Sequence, residues 1–163
     1  MAYDIPAEKK ALARAIPALE RAGFKLRNMI VYVLYNFQDS PDEFLERLRD
    51  LMEWGVVAYP MRFEPLDSLK KNQHIGARWT GEQLEMIAQA RRVIGYGGAF
   101  APHEGLRKKF LEARNFEEAF SLRPTRRGAF IEEHKGLAHI ALAMGARVIP
   151  HSNMNKLNHA RTL

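Results

Sequence analysis

Apolar residues recur along this chain in two rhythms. Over Ala7–Ala22, Leu12, Ile16 and Leu19 fall on one face at helical spacing, with Ala15 and Ala22 beside them, which predicts a helix. Gly23 supplies its stop. Pro17 lies inside the pattern and predicts a kink or an earlier break, because proline removes an N–H and crowds the preceding turn. At Met29–Tyr35 the rhythm changes. Every residue there is apolar, and β-branched and aromatic types dominate. Such a run predicts a strand covered on both faces, as in a parallel sheet.

Ser40-Pro41-Asp42-Glu43 predicts a helix start. Ser40 caps, Pro41 takes the first helical position and Glu43 closes a capping box. Phe44, Leu45, Leu48, Leu51 and Met52 form the apolar stripe, and Gly55 ends it. A second strand is predicted over Val56–Phe63. Strand, helix and strand in this order define a βαβ unit with parallel strands. Pro65–Arg78 is a polar connection. Thr80 and Gln83 open another capped helix, which runs to about Ile94 and ends at Gly95-Tyr96-Gly97-Gly98. Asn115 and Glu118 predict a short helix through Phe120. A last helix is expected over Gly128–Ala143, a short strand over Arg147–Pro150 and a polar tail from Ser152 to Leu163.

Composition narrows the function classes. The chain has 163 residues and no cysteine, which excludes disulfides, thiolate zinc sites and iron–sulfur ligation by its own thiols. A reducing, cytoplasmic setting is the expectation. Met1-Ala2-Tyr3-Asp4 lacks the pattern of a signal peptide, and no apolar run has the length of a membrane span. The net charge is +6, and most of it lies after Leu122. There Arg123, Arg126, Arg127, Lys135, Arg147, Lys156 and Arg161 face only Glu132 and Glu133. The predicted division is therefore an α/β domain over 1–122 and a basic helical extension over 123–163. That extension could attract nucleic acid or an acidic protein, although Phe130 is its only aromatic residue for base stacking.

Parallel α/β folds gather ligands at the carboxyl ends of their strands. The polar residues there are Asn36, Gln38 and Asp39 after the first strand, and Arg62 and Glu64 after the second. Asn36 can hydrogen-bond a ligand and Arg62 can pair with a carboxylate or phosphate; the plainer alternative is an internal Arg62–Glu64 pair. The histidines show no metal spacing, since His134 and His139 do not share a helical face. Gly95-Tyr96-Gly97-Gly98 follows a helix, so turn chemistry explains it better than a phosphate cradle. Trp54 and Trp79 read as packing anchors, and Met29, Met52, Met61 and Met86 as core residues.

The stretches YVLYNFQDSPDEFLERL (Tyr32–Leu48) and YPMRFEPL (Tyr59–Leu66) resemble radical S-adenosylmethionine proteins. The likeness is to the later part of their partial (β/α) barrel and covers about residues 7–120. It implies a partial barrel fragment built on the parallel βαβ unit with several flanking helices. It further implies that Tyr35, Asn36, Arg62 and Glu64 sit where cofactor or substrate is held. The family's cofactors are S-adenosylmethionine and a 4Fe–4S cluster bound by a three-cysteine loop. This chain lacks that loop, so the resemblance implies a companion segment that carries it, and a chain inactive alone. The rival expectations are a non-catalytic interaction module with a basic C-terminal region, and a small self-contained enzyme using Asn36, Asp39, Arg62 and Glu64.

Overall fold

A computed structural model describes residues 1–122. They run in the order α1 (Lys9–Arg21), β1 (Ile30–Tyr35), α2 (Pro41–Trp54), β2 (Val57–Arg62), α3 (Gly81–Val93), α4 (Glu104–Glu112) and α5 (Phe116–Phe120). The helix expected over Gly128–Ala143, the strand over Arg147–Pro150 and the basic extension lie outside the described residues. Among the described residues no helix is long and apolar enough to cross a membrane.

β1 and β2 pair in parallel, with Ile30 opposite Val57 and Tyr35 opposite Arg62. The βαβ unit is thus as the hydrophobic pattern predicts. The expectation that the first strand is covered on both faces is corrected. Val31, Val33, Tyr35 and Ala58 are buried with Phe44, Leu48 and Leu51 of α2 in one core. On the other face Ile30, Tyr32 and Met61 remain 46%, 45% and 45% exposed. Met61 is therefore a surface residue and not a core one. Side chains alternate across a strand, and α1 and α2 meet on one side of this sheet, where Lys9 of α1 reaches Asp50 of α2.

An unpaired, apolar outer edge on β1 would also follow from the sequence. The structure instead fills that edge. Tyr32 donates its N–H to Met1 O (2.9 Å) and accepts from Tyr3 N (2.8 Å). Ala2 thereby makes a parallel bridge to Tyr32. One step along, Leu34 N donates to Asp4 Oδ1 at 3.0 Å, and Leu34 O accepts from Arg47 Nη2 at 2.9 Å. An exposed row of such groups would template aggregation; here both strand-edge groups of Tyr32 and Leu34 are satisfied. The far edge of β2 exchanges two bonds with Phe100 and then carries Pro60, which has no N–H to leave unpaired.

The helix starts match their sequence signals. Ser40 accepts from Glu43 N while Glu43 accepts from Ser40 N, and Thr80 with Gln83 repeats the box on α3. Asn115 caps α5 through Glu118 N. α1 runs through Pro17 without ending there, held by Leu12 and Ile16, which are buried in the core. It stops where Phe24 N bonds Leu19 O and Gly23 N bonds Glu20 O, a left-handed glycine closure with Gly23 at φ 96°. Sequence reasoning missed α4. Its cap is His103, which accepts from Leu106 N, and its C-terminal carbonyl Phe110 O is taken by Arg49 Nε at 3.0 Å.

Asp50 joins the N-terminal segment to α2. It accepts from the Tyr3 hydroxyl at 2.8 Å and from Lys9 Nζ at 2.6 Å. Burial, reinforced by that hydrogen bond, pushes the Tyr3 phenol above the usual tyrosine range. Lys9 is raised by its bond to Asp50, and Tyr35 is raised by burial against the opposing pull of Arg91. All three shifts favour the protonated forms in the folded state. The stability they contribute is complete below the unfolded pKa values, about 10 for tyrosine and lysine, and is lost as pH rises further. Urea midpoints measured from pH 8 to 11.5 should hold steady and then fall above about pH 10. Tyr3→Phe should make that fall shallower, and an unchanged slope would refute this assignment.

Candidate functional site

The carboxyl ends of β1 and β2 open onto a cleft of about 790 Å³. Tyr35 and Arg62, the last residues of the two strands, form one wall. Glu85, Arg91 and Arg92 of α3 form another, and Gly97 and Gly98 close the rim. A parallel sheet places a site here because the strand-to-helix turns all emerge at this end. The volume lies within the range of small-molecule sites, roughly 300–1,000 Å³.

The four residues singled out from sequence do different things. Tyr35 is 3% exposed, and its ring packs on Phe44 and Trp79 at 5.1 and 5.8 Å. Tyr35 lines the cleft together with Arg91. Arg62 reaches the cleft wall while its Nη2 holds the carbonyls of Asn72 and His74 at 3.2 and 2.7 Å. Glu64 stands 3.2 Å from Arg62 Nε, but off the hydrogen-bond line, and neither buried carboxylate oxygen has a hydrogen-bond donor among the described residues. The contact is one of charge, as the plainer sequence reading anticipated. Asn36 is fully buried. Its amide donates to Phe63 O and His74 O, and its oxygen accepts from Gly76 N at 2.7 Å. Asn36 therefore fixes the loop from β2 to α3, and it bears on the cleft through that loop.

Asp39 serves the same framework, accepting from Phe37 N and from Trp79 Nε1 and pairing with Arg47. Gln38 lends only its backbone carbonyl, to Arg78.

Arg91 was not visible in the sequence as a site residue. Its Nε donates to Gly98 O at 2.9 Å, and its guanidinium lies over the Tyr59 ring, 5.3 Å from the centroid. Arg92 pairs with Glu85 at 3.0 Å on the exposed flank of α3. The Gly95–Gly98 run makes a tight turn, with Tyr96 bridged to Ala99 and Gly97 and Gly98 at φ 58° and 80°. Turn chemistry is thus its structural role, and its glycines also border the cleft.

No family model, no curated protein and no solved structure matches this chain.

Proposed function

We propose that this chain forms the later wall of a radical S-adenosylmethionine-type barrel and holds cofactor or substrate in the strand-end cleft. The observation that carries the reading is the one-sided, in-order arrangement of parallel segments. Met1–Tyr3, β1 and β2 lie side by side in chain order, α1 and α2 connect them, and both helices bond to Asp50 or carry it. The opposite face stays apolar and open at Ile30, Tyr32 and Met61. A (β/α) barrel wall is built from sequential parallel strands with helices on one side, which supports the reading; the open face would then look into the lumen. Two short strands need such additional packing for stability.

The two family cofactors differ in how they fit. The chain has no cysteine, and among the described residues no three histidine or acidic side chains converge on a metal position. Ligands for a 4Fe–4S cluster must therefore come from a companion segment. For S-adenosylmethionine the cleft offers Arg62 and Tyr35 to its carboxylate, and Glu85, which also pairs with Arg92, to its cationic end. In that family the bound cofactor supplies hydrogen-atom abstraction. What this chain contributes is binding and orientation, so it has no turnover by itself.

Calorimetric titration of the chain with S-adenosylmethionine tests the reading. Saturable binding tighter than about 1 mM is expected, with a tenfold or greater loss in Arg62→Met at unchanged circular dichroism. Absence of saturation would reject it.

A further inference from the structure

The guanidinium of Arg91 is held in place without an acidic partner. Arg62 is matched by Glu64 and Arg92 by Glu85, whereas Arg91 has no carboxylate within ion-pair distance among the described residues. Three features fix its position. Its Nε is spent on Gly98 O, its Cζ lies over Tyr59, 5.3 Å from the ring centroid, and its terminal nitrogens run beside Gly98. A Cβ at residue 98 would stand 2.8 Å from Arg91 Nη2. That position favours glycine for its left-handed backbone, at φ 80°, and a side chain there would displace the end of the guanidinium. Arg91, Arg62 and Tyr35 line one cleft, so two cations and one phenol O–H face the same space.

From this geometry we propose that the cleft contains an oxyanion subsite, centred on Arg91 and completed by Arg62 and Tyr35, for the carboxylate or phosphate of a small-molecule substrate. The subsite shares Arg62 and Tyr35 with the cofactor carboxylate of the proposed function, so it takes one anion at a time, and it stands whichever ligand the cleft holds. A guanidinium held over an aromatic ring and pinned through one nitrogen keeps a planar fork for two oxygens, and little conformational freedom is lost when the anion arrives. Arg91 thus brings the unopposed charge; Arg62, partly balanced by Glu64, adds the donors that its loop contacts leave over, and Arg92 is paired with Glu85. Glu85 opposes the anion from α3, and through Arg92 it withholds one further cation.

The test is calorimetric titration of the full chain with sodium phosphate and, separately, sodium malonate, at constant ionic strength held with sodium chloride. Saturable binding of at least one is expected. Preference for phosphate identifies a phosphate ester as the substrate class, and preference for malonate a carboxylic acid. Arg91→Lys keeps the charge but loses the fork and the Nε bond to Gly98 O, and should weaken binding about tenfold. Glu85→Gln, on the exposed flank, releases Arg92 and should tighten binding about threefold. It also keeps the proposal testable if the Arg91 variant does not fold. No saturable binding of either anion, binding insensitive to Arg91→Lys, or no tightening in Glu85→Gln would overturn the subsite. Anion binding without S-adenosylmethionine binding would reject only the barrel reading, and the converse only the subsite.

Discussion

Replacing Arg47 with methionine should cost about 3–5 kcal/mol of folding stability, the range for breaking a buried ion pair by removing one partner. Arg47 is 1% exposed. From the middle of α2 it reaches three separate parts of the chain. Nη1 donates to Asp4 O, Nη2 to Leu34 O at 2.9 Å, and Nη2 also pairs with Asp39. Methionine has similar length and fills much of the same space, so the loss is mainly polar. It strands the Asp39 Oδ2 charge in a side chain only 8% exposed and two carbonyls that formerly had a donor. Urea unfolding of the purified chain would measure the effect. A loss below about 1 kcal/mol would mean that water replaces the guanidinium at this site. In the double variant with Asp39→Asn the stranded charge is gone, so it should recover part of the loss, and the coupling energy reports the pair itself.

Arg47 also shows where sequence reading runs out. Its local surroundings, Ser40 to Leu51, were legible. The cap, the stripe of Phe44, Leu48 and Leu51, and the stop at Gly55 all rest on contacts within a few residues. A charged residue one position before Leu48 reads as the edge of a solvated face, since arginine is seldom fully buried unless paired. Its partner Asp39 is close in sequence, but Asp4 lies 43 residues away. No periodicity within α2 records that contact.

The same distinction separates what was seen of the site from what was not. The strand ends were located by period and by turn residues, so Tyr35 and Arg62 could be placed at the carboxyl edge of a parallel sheet. Arg91 sits on α3 beside Arg92, and as a doublet the two resemble ordinary last-turn cations that favour a helix C-terminus. What sets Arg91 apart is Tyr59, 32 positions earlier, and Gly98, seven later. The glycine run after a helix signals a turn, and it is one, but the clearance of Gly98 for a guanidinium is a property of three dimensions. The misreading of β1 has a different cause. A run that is apolar at every position carries no alternation, so sequence cannot tell a strand covered twice from one with an apolar face left open. Here the second face is open, with Ile30, Tyr32 and Met61 partly exposed.

Replacing Asn36 with alanine should cost about 3 kcal/mol or more and should loosen the cleft as well as the fold. Two costs add. The residue adopts φ 69°, a left-handed backbone that asparagine tolerates and alanine resists. Its side chain makes hydrogen bonds to Phe63 O, His74 O and Gly76 N; all three sites lie in a segment with no regular secondary structure between β2 and α3. Alanine would leave the Gly76 N–H buried and unpaired. Gly76 itself packs so closely that a Cβ there would stand 2.9 Å from Asn36 O and 3.0 Å from Phe37 O, so a water has little room to substitute. Asn36→Gly separates the terms, because it relieves the backbone and removes only the side-chain bonds. It should therefore be less destabilised than Asn36→Ala. The same loop carries the Asn72 and His74 carbonyls that orient Arg62. Asn36→Gly should thus weaken ligand binding in the cleft under conditions where the chain stays folded, and amide hydrogen exchange should accelerate between Phe63 and Trp79 before it does so in β1. Uniform acceleration across the chain would show that Asn36 contributes to global stability alone and does not position the site.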